Sequence, residues 1–111
     1  MALRDAMYYL NDGMELLALG EDPLRERLAR AYTRALIHVD AVDLPDALRT
    51  EWEELKHSLT RVPGVTHISG RQEQGAVNAT TAAMTDEEAR DAIRRIFALV
   101  EQLMLAFIPR R

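Results

Sequence analysis

The chain has 111 residues, of which 48% are hydrophobic and 29% charged, with no cysteine and a formal net charge of −4 at pH 7. This composition predicts one globular domain and excludes disulfides, thiolate metal sites and cysteine nucleophiles. The negative charge argues against sequence-independent binding of nucleic acid, which normally needs a basic surface.

The first predicted helix begins near the N-terminus and ends at Gly20. Its apolar residues recur in steps of four and three, which places them on one face: Leu3, Met7, Leu10, Met14 and Leu17. We expect Gly20 to adopt the left-handed conformation that often follows a helix. Gly13 weakens the helix interior by roughly 1 kcal/mol relative to Ala, and close packing against another helix would explain it.

The second predicted helix begins at Asp22-Pro23, where Asp22 is a good N-cap and Pro23 suits the first helical position. Its apolar face continues as far as Val39. The residues on this face are Leu24, Leu28, Tyr32, Ala35, Leu36 and Val39. Glu26 precedes Arg30 by four residues, the favourable order for an ion pair on a helix.

The third predicted helix has Asp43 as its cap, Pro45 in its first turn and Asp46 as a capping partner. Pro63-Gly64 ends it. Its apolar residues are Leu44, Leu48, Trp52, Leu55, Leu59 and Val62.

The last predicted helix opens with Thr85 and Glu88, which have the spacing of a capping box, and ends at Pro109. Its apolar face comprises Ala89, Ile93, Ile96, Val100, Leu103 and Phe107.

These elements predict an all-α fold, an antiparallel four-helix bundle of helices about 16 to 22 residues long, in a single domain over residues 1–111. A long crossover segment, irregular over about 61–84, joins the third and fourth helices. Val77, Thr81 and Met84 share helical spacing, which indicates a short extra helix over 76–84.

The chain shows no targeting or membrane signal. Asp5 and Asp12 interrupt the N-terminal segment, which lacks the continuous apolar run of a signal peptide. The most apolar stretch, IFALVEQLMLAFI, is broken by Glu101 and Gln102 and is shorter than the roughly 20 residues that span a bilayer. We expect a soluble cytoplasmic protein. The pattern resembles that of many short bacterial helical proteins, and no motif indicates a particular family.

The fourth helix carries more apolar residues than one core-facing stripe needs. The additional residues are Phe97, Leu99, Met104, Leu105 and Ile108. A helix that is apolar over more than half of its circumference needs burial on two sides. This predicts a homodimer or another protein contact, with Phe97, Met104, Leu105 and Ile108 at the interface. The alternative is that the 61–84 segment covers the additional residues.

The titratable residues give weak indications of chemistry. Glu54 and His57 have the Glu-x-x-His spacing of a di-iron ligand pair, but such sites need two pairs and further carboxylates. A solvated helix face is therefore the preferred interpretation, and we expect no metal. His67 and Ser69 lie in the long segment without the strand-turn-helix context of a nucleophile. His38 lies near the apolar stripe of the second helix.

Two groups of arginines recur at helical spacing. Arg27, Arg30 and Arg34 form a stripe on the second helix, and a smaller group lies on the fourth, namely Arg90, Arg94 and Arg95. Acidic residues four positions earlier are expected to neutralise the second group, through the pairs Asp86–Arg90 and Asp91–Arg95. Solvated faces are therefore a better interpretation than a phosphate-binding surface.

The sequence favours a non-enzymatic protein–protein interaction module that self-associates and needs no cofactor. The alternative is a small-molecule or metal-binding bundle, in which the 61–84 segment is a lid. The pocket would then be lined by Tyr8, Tyr32, His38 and Trp52. A weaker alternative is a nucleic-acid-associated regulator that uses the stripe on the second helix.

Overall fold

The structure, a computed structural model, describes residues 2–62 and 72–105. Within these ranges it contains five α-helices and no strand, which confirms the all-α prediction. The helices are α1 (Ala2–Leu19), α2 (Leu24–Arg34), α3 (Asp46–Leu59), α4 (Gln72–Ala83) and α5 (Asp86–Leu105). Two 3-10 turns, Leu36–His38 and Ala41–Asp43, connect α2 to α3. Helix α4 is the short helix predicted over 76–84, and it begins four residues earlier than expected.

The helix lengths differ more than the sequence suggested. Helix α2 has 11 residues and α3 has 14, whereas both were expected to exceed 15. The predicted Phe107 and Pro109 at the end of α5 lie outside the described residues, as does Pro63-Gly64 at the end of α3.

Helices α1 and α2 run in opposite directions. The Arg27 guanidinium in the first turn of α2 donates to the Leu17 carbonyl near the end of α1, at 3.0 Å. At the other end of the pair, the rings of Tyr9 and His38 lie 5.0 Å apart. The short joint between the two helices therefore makes the antiparallel hairpin that its length predicts.

Helices α3 and α5 are also antiparallel, because two ion pairs join them in opposite chain order. Arg61 contacts Glu88 at 3.6 Å, and Glu51 contacts Arg95 at 3.5 Å. Helices α2 and α5 begin at the same end of the molecule, since Arg25 contacts Asp86 at 3.5 Å. Helix α2 packs against α1, α4 and α5 and is the central element.

One hydrophobic core draws on all five helices. Its fully buried side chains include Leu10, Leu28, Tyr32, Trp52, Val77, Ile96 and Leu103. Burial of each large apolar side chain stabilises the fold by about 1.5–3 kcal/mol. The Trp52 indole N–H donates to the Val39 carbonyl at 3.2 Å, so the one polar atom of that ring has a partner inside the core.

The predicted N-caps Asp22 and Asp43 are wrong. Helices α2 and α3 have Pro23 and Pro45 at the cap position, and neither helix start has a side-chain cap hydrogen bond. The Asp22 carboxylate instead pairs with Arg30 at 3.3 Å.

An arginine four residues after each proline folds back over the helix start. Arg27 Nε donates to the Asp22 carbonyl at 2.8 Å, and Arg49 Nε donates to the Leu44 carbonyl at 3.0 Å. A second nitrogen of each guanidinium reaches another carbonyl, that of Leu17 for the first and Val42 for the second. The same pattern of arginine-to-carbonyl hydrogen bonds therefore stabilises the loop before α2 and the loop before α3.

Helix α2 ends earlier than the periodicity predicted. The backbone leaves the helical region at Ala35, with φ −133° and ψ −59°, and is extended at Val39. Leu36 and Val39 are nevertheless buried, because the 3-10 turn keeps them on the core side. The apolar spacing was therefore correct, but the conformation that it implied beyond Arg34 was wrong.

The two glycines of the first hairpin are explained by close packing. A Cβ on Gly13 would lie 2.6 Å from Leu36 Cδ2, so close packing occurs at Gly13 but involves a side chain of the first 3-10 turn and not the predicted crossing of two α-helices. A Cβ on Gly20 would lie 2.7 Å from the Leu16 carbonyl oxygen and 2.9 Å from Arg27 Cδ. Gly20 does not have the positive φ that we expected, so space rather than backbone conformation favours glycine at this position.

The capping box at the start of α5 is confirmed. The Thr85 backbone N–H donates to the Glu88 carboxylate at 2.9 Å, and the Glu88 N–H donates to Thr85 Oγ1 at 3.1 Å. Just before this turn, the Arg25 guanidinium donates to the Ala82 and Met84 carbonyls at 3.3 and 2.9 Å. Arg25 of α2 therefore caps the C-terminus of α4, where unpaired carbonyls favour a cation.

Candidate functional site

The exposed apolar flank of α5 consists of Phe97, Met104 and Leu105, whose exposed fractions are 39%, 57% and 57%. Phe97 and Met104 are two helical turns apart, so they lie on nearly the same side of α5. Ile108, the fourth predicted interface residue, lies outside the described residues. Leu99 is 1% exposed and belongs to the core, so its assignment to the additional apolar surface was wrong.

Half-buried apolar residues extend this surface towards the core. Ile93 on α5 packs against the buried cluster, as do Met7 and Met14 on α1. Helices α1 and α5 are in contact. Ile93 lies about one helical turn before Phe97, so the flank continues along α5 beyond its exposed side chains.

The other large exposed apolar residues lie on different elements. Tyr8 and Leu19 are on α1, with exposed fractions of 65% and 73%, and Val42 is in the second 3-10 turn. Single exposed apolar residues are normal on protein surfaces. Among the described residues, α5 is thus the helix that carries the most such side chains.

The four residues expected to line a pocket differ in their exposure to solvent. Tyr32 and Trp52 are fully buried in the core, whereas Tyr8 and His38 are exposed. His38 instead stacks at a tilt against Tyr9, and Tyr8 meets Tyr9 edge-on with ring centroids 5.4 Å apart. This places an exposed aromatic group at the end of the α1–α2 hairpin.

A groove with a volume of about 780 Å³ runs along α3 beside the second 3-10 turn. Trp52 borders it, together with Asp40, Arg49, Glu53 and His57. The Arg49 guanidinium is occupied by Asp46 and by backbone carbonyls, and the Asp40 carboxylate accepts from the Val42 N–H at 3.1 Å. These two charged side chains therefore stabilise the second 3-10 turn.

A second groove, of about 730 Å³, lies between α2 and α4. We call it the α2–α4 groove. Small residues, Ala29 and Thr33 from α2 and Thr81 and Ala82 from α4, line it along its length. Its charged lining residues are Arg25, Glu26, Arg30 and Arg34. Small residues allow the two helices to approach closely and leave a shallow channel above the contact.

The three arginines of the stripe predicted on α2 make different contacts. Arg27 is fixed to the Asp22 and Leu17 carbonyls, and Arg30 pairs with Asp22 rather than with the expected Glu26. Arg34 is exposed and has no hydrogen bond or ion pair with any residue that the structure describes.

The arginines of α5 also have partners other than those predicted. Arg94 pairs with Asp91 at 2.9 Å, and Arg95 pairs with Glu51 on α3. The expected pairs Asp86–Arg90 and Asp91–Arg95 were therefore wrong. Arg90 is exposed and has no ionic partner within the described ranges.

Glu54 and His57 are both exposed on the outer side of α3. Across residues 2–62 and 72–105, no group of three or more histidine, aspartate or glutamate side chains is arranged to hold a metal ion. His67 and Ser69 lie outside the described residues. No helix in the described part of the chain is long and apolar enough to cross a membrane.

Glu88 has a perturbed acidity. The hydrogen bond from the Thr85 backbone N–H lowers the pKa of Glu88 below its ordinary value of 4.5, and the Arg61 guanidinium adds to this effect. Both partners belong to the start of α5 and its junction with α3. The shift therefore reflects helix capping rather than an acid or base that is prepared for catalysis.

No protein-family model matches the chain, and comparison with curated proteins and with solved structures likewise gives no match.

Proposed function

We propose that the protein is a non-enzymatic interaction module, a helical bundle that self-associates as a homodimer through the exposed apolar flank of α5. The observation that supports this proposal is the exposure of Phe97, Met104 and Leu105 on one helix. Interface centres are enriched in aromatic residues and methionine, which are the residue types at the first two positions. Helix α5 is also the longest helix in the described part of the chain, with 20 residues.

The dimensions of α5 suit a helix-to-helix contact. Phe97 and Met104 are separated by seven residues, or about 10 Å along the axis, and the whole helix is about 30 Å long. A two-fold axis close to α5 would place the same surface of each copy against the other, as an isologous interface requires. A stable interface removes roughly 800 Å² per partner from water, so neighbouring parts of α1 would take part.

The absence of catalysis is part of the proposal. A catalytic site needs a nucleophile or base, an orienting partner and a place for the reacting atom. In the described ranges, the charged side chains with partners mostly fix helix ends and loops, as Arg25, Arg27 and Arg49 do.

Light scattering coupled to size-exclusion chromatography tests the proposal. The wild-type chain should elute with twice the chain mass of 12.6 kDa, and its mass should fall on dilution. Phe97→Glu and Met104→Glu should each yield the monomer mass, because a buried unpaired carboxylate opposes association. Leu19→Glu is the matched control, since it changes the charge equally at a site on α1 that is 73% exposed. A wild-type monomer at all concentrations, or equal dissociation by Leu19→Glu, would contradict the proposal.

A further inference from the structure

Glu101 interrupts the exposed apolar flank of α5. It follows Phe97 by four residues and precedes Met104 and Leu105 by three and four, so it is a neighbour of all three apolar side chains. Its side chain is exposed and has no hydrogen bond or ion pair with a described residue. An interface that covers the flank also covers this carboxylate, and a buried carboxylate without a partner opposes association. The surface that packs on the flank therefore needs to supply a cation.

Two arginines lie on the same face of α5, nearer its start. Arg90, Phe97 and Met104 recur every seven residues, about two turns, and Arg94 and Glu101 have the same spacing. At about 3.6 residues per turn, these five residues lie within roughly a quarter of the helix circumference. All five are exposed. The face therefore carries positive charge in its first half and negative charge in its second half, with Phe97 between them.

Both arginines keep donors for a partner. Arg90 has no ionic partner within the described ranges. Arg94 contacts Asp91 at 2.9 Å through one terminal nitrogen, and the two side chains of this pair are 71% and 64% exposed. A guanidinium has five N–H donors, so Arg94 can also bind a second carboxylate. Asp91 itself lies beyond the edge of this face, about 60° around the helix from Arg94, and leaves the face open to a partner.

The opposite charges of the face cannot neutralise each other within one copy. Glu101 lies about 10 Å along the axis from Arg94 and about 17 Å from Arg90. A second copy in a parallel orientation would set like charges against each other, because each residue would be level with its own counterpart. In an antiparallel orientation, the positive half of each copy faces the negative half of the other. Like charges across an interface weaken association, and complementary charges set the orientation of paired helices.

We propose that the partner on the flank is a second copy whose α5 runs antiparallel, so that Glu101 of each copy binds between Arg90 and Arg94 of the other. Carboxylate–guanidinium pairs form charge-assisted hydrogen bonds, which are stronger than neutral ones. This inference rests on the proposed self-association, and it adds the orientation and the polar contacts of the interface.

The charge pairing also fixes which apolar residues meet. Ala92 lies midway between Arg90 and Arg94 along the chain. When Glu101 of one copy is level with Ala92 of the other, the two-fold axis passes within about 1 Å of the level of Phe97. The two Phe97 rings then meet at the centre, with the ion pairs on either side, and this is the usual arrangement of an aromatic centre and a polar rim. The charges and the apolar centre therefore require the same alignment.

Disulfide cross-linking tests the orientation, and the chain has no cysteine of its own. In the antiparallel dimer, positions 90 and 104 of opposite copies are level within about 2 Å, whereas identical positions are about 20 Å apart. A disulfide needs Cα atoms within about 7 Å of each other. Mild oxidation of co-expressed Arg90→Cys and Met104→Cys chains should therefore link the two variants about tenfold faster than identical chains, because proximity sets the rate. Intact mass under non-reducing conditions identifies each product.

Arg34→Cys with Met104→Cys is the control for random collision, because Arg34 is an exposed arginine on α2. Equal rates for this pair and for Arg90→Cys with Met104→Cys would overturn the proposal. So would a predominant link between two Arg90→Cys chains, which indicates a parallel dimer. The absence of any link, while the wild-type chain is a dimer, would also overturn it.

Charge reversal tests the ion pairs without cysteine chemistry. Glu101→Arg should raise the dimer dissociation constant about tenfold or more, because a positive charge then faces Arg90 and Arg94. Glu54→Arg is the matched control, since it makes the same change at an exposed glutamate on α3 without a described partner. Raising the salt concentration should weaken wild-type association and strengthen that of Glu101→Arg. Equal dissociation constants for the wild type and Glu101→Arg would contradict the pairing.

Exchanging all three charges should restore association. In the triple variant Arg90→Glu, Arg94→Glu and Glu101→Arg, each antiparallel pair is kept with its polarity reversed. The dissociation constant should therefore return to within about threefold of the wild-type value, a non-additive effect of contacting residues. A triple variant that is folded by circular dichroism but associates as weakly as Glu101→Arg would show that these residues do not pair.

The failures of the two proposals are distinguishable. A wild-type chain that is monomeric at all concentrations contradicts self-association, and with it the orientation. A wild-type dimer whose cross-links join identical positions contradicts the antiparallel arrangement alone.

Discussion

Leu36 occupies the space that a side chain at position 13 would need. A Cβ built on Gly13 lies 2.6 Å from Leu36 Cδ2 and 3.0 Å from its Cγ, and Leu36 is fully buried. The glycine in the middle of α1 and the leucine after α2 are therefore complementary parts of one contact. This contact fixes how closely the two helices of the first hairpin approach.

Gly13→Ala should destabilise the fold although alanine is the better helix former. Overpacking of a buried site costs about 1–3 kcal/mol, and the gain in helix propensity is about 1 kcal/mol. Adding Leu36→Ala should make the two substitutions non-additive, because the smaller residue at position 36 accommodates the new methyl group. Urea unfolding of the four variants of a double-mutant cycle measures this coupling. A Gly13→Ala variant more stable than wild type would contradict it.

Arg27→Lys should destabilise the protein by about 1–2 kcal/mol. The guanidinium donates to two carbonyls, those of Asp22 and Leu17, at 2.8 and 3.0 Å. A lysine ammonium lacks the planar fork that reaches both. Urea unfolding gives the free-energy change, and Arg34→Lys is the control, with an expected effect within about 0.5 kcal/mol. Equal effects at both positions would show that the two hydrogen bonds contribute nothing measurable.

The stability of the protein should fall in acid partly because of Glu88. The pKa of Glu88 is lowered in the folded state, so below its ordinary value of 4.5 the unfolded chain binds more protons than the folded one. This contribution is present above about pH 4.5 and is lost as the pH falls through the folded pKa. Urea midpoints between pH 3 and 7 should therefore depend less on pH in Glu88→Gln than in wild type.

Glu87→Gln is the control for this pH experiment. Glu87 is in the same first turn of α5 but has no hydrogen bond or ion pair with a described residue. An equal change in pH dependence for both variants would assign the effect to the helix dipole instead of the capping box.

The features that were predictable from the sequence depend on local interactions. The capping box of Thr85 and Glu88 was identified correctly, because both of its hydrogen bonds are made within one turn. The apolar spacing likewise identified the buried positions of α3, such as Leu48, Trp52 and Leu55.

The errors concern interactions with distant parts of the chain. Arg30 was expected to pair with Glu26 but pairs with Asp22, and Arg95 pairs with Glu51 on another helix. Helical spacing gives the neighbours on one helix, but it does not show which helix packs beside it. The end of α2 was also missed: the backbone leaves the helical region at Ala35, and further along the Val39 carbonyl accepts from the distant Trp52 indole.

Of the candidate interface, the sequence indicated Phe97, Met104 and Leu105, whose exposure the structure reports. The sequence did not distinguish the buried Leu99 from these exposed residues. A surplus of apolar residues on one helix does not show which of them the neighbouring helices cover. The α2–α4 groove was not recognised from the sequence. The helical spacing of Arg30 and Arg34 was a signal, but the small residues of α4 opposite them gave no amphipathic pattern.

The central position of α2 has a consequence for how the protein comes apart. This helix has only 11 residues and a largely polar sequence, so it is too short to be stable alone. Yet its first turn holds the C-termini of α1 and α4 through Arg27 and Arg25. Detaching α2 frees both of those helices at once. Detachment of α2 should therefore lead to global unfolding, and we expect the amide protons of α2 to exchange with solvent only when the whole domain unfolds.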